Sequence, residues 1–184
     1  MGRIVYDTAT TMTGHLADEA HSLAWLFEVP GGAEPDPSLL PEAAVLVEGS
    51  STYEWVLRES DLLAHPARWA EFHGDRPVFV FTTRELPVPA GADVRFVRGD
   101  VAEALPAIRA AAGEGDVWVV GGGDLAGQFL DAGALDRIAI SVAPAALPGG
   151  APLLPRRVGA DRLRLMEARA AGQFARLVYE VRPA

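Results

Sequence analysis

Short apolar runs alternate along the chain with stretches of helical spacing, and each change of period marks an element. Ile4–Tyr6 predicts a first strand. His21–Val29 (HSLAWLFEV) has helical spacing, with Leu23, Leu26 and Phe27 on one face and Trp25 off it. Pro30-Gly31-Gly32 ends that helix, and the stretch to Pro41, rich in Pro, Gly and acids, predicts a solvated loop. Ala43–Val47 (AAVLV) reads as a buried strand. Gly49-Ser50-Ser51-Thr52 follows it and opens a helix through Glu59, capped by a serine or by Thr52. Pro66–Phe72 predicts a short helix, and Pro77–Thr82 (PVFVFT) and Val94–Val97 predict two strands. Asp100 is placed to cap an Ala-rich helix that runs to Ala112. Val117–Val120 (VWVV) predicts a strand closed by Gly121-Gly122-Gly123. Leu125–Ala132 then predicts a helix and Arg137–Ala143 a strand. Arg162–Ala170 and Phe174–Val181 alternate about Gly172 and predict a closing hairpin.

Alternation of strand and helix, followed by an antiparallel end, predicts one α/β domain over residues 1–184. Its sheet is expected to be mostly parallel with an antiparallel C-terminal edge. Composition then removes several chemistries. Without Cys the chain has no disulfide, thiol nucleophile or zinc thiolate site. Every basic residue other than His is Arg, so Schiff-base and phosphate-loop lysines are excluded. The formal net charge of −9 argues against a nucleic-acid partner. His15, His21, His65 and His73 lack metal-site spacing, so no metal is expected. They read as surface or loop residues. No G-x-S-x-G stands in the chain for a serine hydrolase. No apolar run reaches the length of a bilayer span, and Met1-Gly2-Arg3 leads straight into a strand. A cytoplasmic protein without a membrane partner is the expectation.

Candidate chemistry collects where strands end. In VWVVGGGDLAGQFLDAG a buried strand meets three glycines, and a helix opens at once. Free amides at a helix start, backed by the helix dipole, attract an anion, and glycines let a phosphate approach the backbone. Gly121, Gly123 and Ala126 also satisfy the dinucleotide spacing G-x-G-x-x-G/A. The alternative is a tight β–α turn that only packs helix on sheet. Gly49-Ser50-Ser51-Thr52 makes a second anion pocket of the same kind. Thr82-Thr83-Arg84 offers two hydroxyls and a guanidinium to a phosphate monoester. Thr8–Ala17 follows the first strand and is rich in small residues and hydroxyls. In open α/β sheets, ligands bind along this edge.

The order and spacing of these blocks resemble the dihydrofolate reductase superfamily, in particular the reductase domain of riboflavin biosynthesis and its stand-alone bacterial relatives. Ala9-Thr10-Thr11-Met12-Thr13-Gly14 is similar to that group's A-x-S-L-D-G loop, and Ala43–Tyr53 to its strand and G-x-x-T-Y turn. Val117–Leu130 is similar to its glycine turn and helix. Ala134–Leu154 is similar to its L-D-E-I … P … G-x-G-x-P-L-F tail.

The resemblance implies a three-layer fold with a mixed, mostly parallel sheet of eight strands, a bound NADPH and a homodimer. It assigns Gly121, Gly122, Gly123, Asp124 and Leu125 to the pyrophosphate, beside Val120, with Thr52 and the Gly49, Ser50 and Ser51 turn helping the phosphates. Thr82, Thr83 and Arg84 would meet the 2′-phosphate. Ala9 and the loop of Thr13, Gly14, His15 and Leu16 would pack on the nicotinamide and its ribose. The function implied is hydride transfer to a small polar heterocycle or carbonyl compound, pterin-like or aminopyrimidine-like. Trp25 and Tyr53 are candidates for a stacking wall, with a place in the core or at its rim the favoured alternative. Glu28 is the one acid in the first helix, and an ordered water or a hydroxyl such as Thr11 or Thr13 is the candidate proton donor. The substrate side departs from the family pattern. Thr13 stands where the loop carries Asp, Ala24 where relatives have Asp before Trp, and Val120 where the riboflavin enzymes have Glu. Two other readings stay open: the same fold with a flavin or deazaflavin carrier, and a nucleotide-binding protein without turnover.

Overall fold

Strands rich in Val and Ile that are closed to solvent on both faces must lie inside a sheet covered on both sides. The runs 4–6, 45–47 and 117–119 meet that condition, since every residue in them is buried: Ile4, Tyr6, Val45, Val47, Val117 and Val119 on one face and Val5, Leu46 and Trp118 on the other. The computed structural model describes residues 1–30 and 39–183. Its elements are β1 (Ile4–Thr11), β2 (His15–Ala17), α1 (Ala24–Glu28), β3 (Ala43–Gly49), α2 (Ser50–Glu59), α3 (Trp69–His73), β4 (Val78–Phe81), β5 (Val94–Val97), α4 (Val101–Ala112), β6 (Asp116–Gly121), α5 (Gly123–Asp131), β7 (Arg137–Ala143), β8 (Ala151–Pro152), β9 (Leu163–Ala171) and β10 (Phe174–Val181). Eight strands form one sheet in the order β5-β4-β3-β6-β1-β7-β10-β9, and β2 pairs with β8. The strands from β5 to β7 are parallel, while β10 and β9 close the sheet antiparallel. This is the mixed sheet expected.

Helices cover both faces. On one, Val101, Ala104 and Ile108 of α4 join Leu125, Ala126 and Phe129 of α5 over Ile4, Tyr6, Val45 and Val119. On the other, Tyr53, Val56 and Leu57 of α2 and Trp69 of α3 lie over Leu46, Val78, Val80 and Trp118. A third apolar group gathers Trp25 and Val29 against Ala143. Two hydrogen bonds fix central aromatics: Trp118 Nε1 donates to the Asp7 carbonyl at 2.9 Å, and the Tyr6 hydroxyl donates to the Leu153 carbonyl at 2.8 Å.

Four local readings are corrected. The first strand runs to Thr11 rather than stopping at Tyr6, because Thr8, Thr10 and Thr11 are β-branched and continue the ladder to β7 as far as Ala143. In α1 the face is reversed: Trp25 is buried and Phe27 is 44% exposed, stacked on Trp55 with centroids 6.2 Å apart. The Trp25 indole decides this, since its Nε1 donates to the Leu16 carbonyl at 3.1 Å. Neither α2 nor α4 has a side-chain cap; extended Gly49 and Asp100 precede them without one. The short helix predicted over Pro66–Phe72 is a 3₁₀ turn, Pro66–Arg68, leading into α3. Most of the loop predicted between Pro30 and Pro41 lies outside the described residues.

Two buried polar pairs sit inside this frame. Arg176 of β10 donates to both Asp7 carboxylate oxygens, with Nη1 to Oδ1 at 2.7 Å, and also to the Leu39 carbonyl at 3.0 Å. Burial pushes the Asp7 carboxyl above its ordinary range, and the Arg176 guanidinium pulls it back. Glu48 and His73 form the second pair, 3.4 Å apart and closed to solvent. Replacing Arg176 by Met would leave Asp7 buried and unpaired, which costs about 3–5 kcal/mol. A lone buried carboxyl has its folded pKa raised above the unfolded one. The penalty is therefore absent in acid and grows as pH rises towards neutrality. Urea unfolding of Arg176→Met should show that pH-dependent deficit; a deficit equal at acid and neutral pH would contradict it.

Candidate functional site

Parallel strands deliver their carboxyl ends to one edge, and a groove runs along it. Ala9 of β1, Gly49 of β3 and Val120 and Gly121 of β6 line it from below. One lobe, of about 220 Å³, is apolar and lies between Leu23, Trp25 and Leu26 on one side and Trp55, Val56 and Phe72 on the other. The second, of about 330 Å³, is bounded by Gly49, Ser50, Ser51 and Thr52 at the start of α2 and by Gly122, Gly123, Asp124 and Leu125 at the start of α5. Leu16, His21, Ser51, Thr52, Gly122 and Ala151 belong to both lobes. A larger cavity of about 430 Å³ lies by Asp136, Arg162 and Arg182, and no candidate cofactor, substrate or catalytic residue lines it.

Each glycine of the turn does something different. A Cβ on Gly123 would stand 2.2 Å from the Pro152 carbonyl oxygen and 2.4 Å from that of Leu153, so close chain packing demands glycine there. A Cβ on Gly121 would meet Thr52 Oγ1 at 3.1 Å. A Cβ on Gly122 would meet nothing within 4 Å, although Gly122 lines both lobes: it would project into the groove. The Gly121-Gly122 peptide is cis.

Helix α5 begins at Gly123, two residues before the predicted Leu125, and no side chain caps it; the same holds for α2. Two helix starts with unspent amides thus face one lobe, an arrangement that attracts anionic oxygen. The Asp124 carboxyl is held below its ordinary range, first by a hydrogen bond from Gln128 and then by one from Arg156. Arg156 spans Asp124 at 3.0 Å and Asp131 at 2.7 Å, which compensates the one carboxylate at the mouth of the phosphate-sized lobe.

The structure brings most of the predicted residues together and removes others. Ala9, Leu16, Trp25, Ser51, Thr52, Val120 and the Gly121–Leu125 turn all line the groove. Tyr53 does not: its ring is buried under α2, its hydroxyl donates to the Pro87 carbonyl at 2.8 Å, and burial, with the charge of Glu48, pushes it up to about 12. Glu28 points to solvent because the reversed face of α1 turns it away. Thr11 and Thr13 are not free to give a proton. The Thr11 hydroxyl is buried between the His15 backbone and Thr13, and Thr13 Oγ1 both donates to the Leu147 carbonyl at 2.9 Å and accepts from the Leu147 amide at 3.0 Å. They clamp the loop at Gly14, whose φ is +76°, and His15 Nδ1 adds a contact to Thr13 Oγ1 at 3.3 Å. Thr82 caps the Arg84 amide, and Thr83 and Arg84 lie beyond the groove's edge. The Arg84 guanidinium holds both oxygens of Glu54, at 3.0 and 2.6 Å.

Sequence reasoning passed over Trp55, Phe72 and His21. Trp55 lies three residues beyond Thr52 on α2 and so shares its face, a signal that helical spacing carries. His21 carries no such signal in the sequence.

With this geometry in hand, comparison with known proteins is decisive about family. The RibD C-terminal domain model matches residues 56–175. The chain belongs to the RibD C-terminal domain family. Among curated proteins it is similar to the uncharacterised YwjB of Bacillus subtilis (strain 168), 27% identical over 172 residues, 93% of each chain. A Shewanella sp. PV-4 protein assigned by name to riboflavin biosynthesis superposes with TM-score 0.75 at 25% identity, covering 99% of each chain. The fold is also that of Enterococcus faecalis dihydrofolate reductase, whose structure holds NADP(H), with TM-score 0.60, 15% identity and coverage of 97% and 96%. As a RibD C-terminal domain relative, the chain is a reductase-like domain with the dihydrofolate reductase fold.

The two glycines should separate cleanly. Gly123→Ala is expected to lower the melting temperature sharply, because its Cβ has no room. Gly122→Val is expected to melt near the wild type yet fill the groove. Thermal unfolding of both variants checks this, and an unstable Gly122→Val would contradict it.

Proposed function

We propose that the chain is an NADPH-dependent reductase that delivers hydride to a small carbonyl or heterocyclic substrate. The observation that carries this reading is the open space beside Gly122, set between two uncapped helix starts, where a Cβ would meet nothing within 4 Å. The residues fit the cofactor. Backbone amides of Gly123, Asp124 and Leu125 and the α5 dipole suit the pyrophosphate, with Ser50, Ser51 and Thr52 opposite. Ala9 and Leu16 offer an apolar seat to the nicotinamide, and the Thr13 clamp on Leu147 keeps that loop in place. Bound NADPH supplies a hydride from its nicotinamide ring. Trp25, Trp55 and Phe72 exclude water from the adjoining lobe and orient what enters it.

Arg84 is assigned to the 2′-phosphate, and Glu54 then competes with that phosphate for the same guanidinium. A second copy of the chain is the expected partner, across the outer strand β9, where Leu165 is 53% and Met166 46% exposed.

Calorimetry with NADPH and NADH tests the reading. NADPH should bind more tightly than NADH, and Arg84→Ala should remove the preference. Glu54→Gln should strengthen NADPH alone by about two- to fivefold, the range of an exposed pair. No heat with either nucleotide would overturn the function, and equal changes for both would overturn the role of Arg84.

A further inference from the structure

We infer that the apolar lobe receives an uncharged, planar carbonyl compound and that His21 gives the proton its oxygen needs. The inference rests on the reductase reading. Among the described residues, His21 is the one ionisable side chain that lines this lobe, and it also lines the phosphate-sized one. It therefore stands where the two lobes meet, as does Leu16, which the reductase reading places against the nicotinamide.

Its backbone is held there. His21 has φ 58°, a left-handed conformation uncommon outside glycine. Asp18 fixes it: Oδ1 accepts from the Ala20 amide at 2.9 Å and the Ser22 amide at 2.8 Å, and the Asp18 carbonyl accepts from the His21 amide at 3.0 Å. These hydrogen bonds fix the backbone from which the exposed His21 side chain leaves.

The lining selects the substrate class. Paired N–H donors of an aminopyrimidine or pterin call for a carboxylate, and a phosphoribosyl arm calls for a guanidinium. The lobe offers neither among the described residues. It offers Trp25, Trp55, Phe72 and Val120, with the hydroxyls of Thr8 and Thr52 as its other polar side-chain groups beside Ser51. A neutral ring compound can be buried there at no ionic cost.

His21 then acts on the substrate oxygen. Its imidazolium N–H bond breaks and an O–H bond forms on the electron pair that arriving hydride displaces from the C=O double bond. The neutral imidazole regains a proton from water. The charged groups on elements around it are Asp18 and Glu19 of its own loop and Asp124 at the head of α5. On α1, Glu28 is exposed; on α2, Glu54 is tied to Arg84; on α3, His73 is buried against Glu48.

Isatin, a neutral planar ketone, and dihydrofolate, an anionic pteridine, serve as probes with the full chain. In the NADP⁺-loaded protein, isatin should shift the His21 imidazole proton resonance, assigned with His21→Asn. That variant keeps a residue tolerant of left-handed φ. With NADPH and isatin, His21→Asn should lose about 100-fold in kcat and the limb of the pH–rate profile that an acid gives. If NADPH binds but isatin leaves His21 unshifted, if dihydrofolate is reduced in preference, or if the variant keeps its kcat, the inference falls and the reductase reading stands. If NADPH does not bind, both fall.

Discussion

The parallel ladder through β4, β3, β6, β1 and β7 is the constraint on which the rest depends. Because these strands run the same way, their carboxyl ends reach one edge together. Each strand must then leave the sheet there, and two of them turn directly into helices, β3 into α2 and β6 into α5. Both helix starts face the same gap with their amides uncapped. The anion-attracting character of the groove is thus a product of topology. What residue choice adds is space: glycine at 122 keeps open what any Cβ would fill, and glycine at 123 lets α5 settle on the chain at Pro152 and Leu153.

Much of this was legible in the sequence, for a physical reason. Arg137–Ala143 and Phe174–Val181 have their predicted bounds, since a run of β-branched residues bounded by turn residues has few other states. The glycine turn was legible because strand, glycines and helix follow each other without a gap. The substrate side was not. Helix α1 is five residues long, too short for a period to choose its face, and a single indole hydrogen bond to Leu16 chose it. Thr11 and Thr13 read as free hydroxyls because their partners are backbone groups, and for Thr13 the partner Leu147 is 134 residues away. Tyr53 could be read as wall or as core because a helix start leaves open which way the fourth side chain turns, and the structure puts it in the core.

The buried pair Glu48–His73 illustrates what a tertiary contact can hide. The two residues lie on β3 and α3, and nothing local marks either as buried. Trp69 stacks on the imidazole with centroids 3.7 Å apart, and Phe72 approaches its edge. Phe72 also faces the apolar lobe, so the back of that wall is polar while its front is not. Removing one partner of a hydrogen-bonded pair so placed leaves the other buried without one, which costs more than the bond itself contributes.

The reach of Arg176 has a wider consequence. One guanidinium on β10 joins the central strand, through Asp7, to the carbonyl of Leu39 and to Ser141 on β7. Strand β9 beyond it is open to solvent along almost its whole length. Local opening is cheap where few groups are buried and costly where a charge would be stranded. In a lone protomer amide exchange should therefore divide between the two strands of one hairpin, fast in the outer one and slow in the inner. The seam of cooperative unfolding would then run through the hairpin rather than around it.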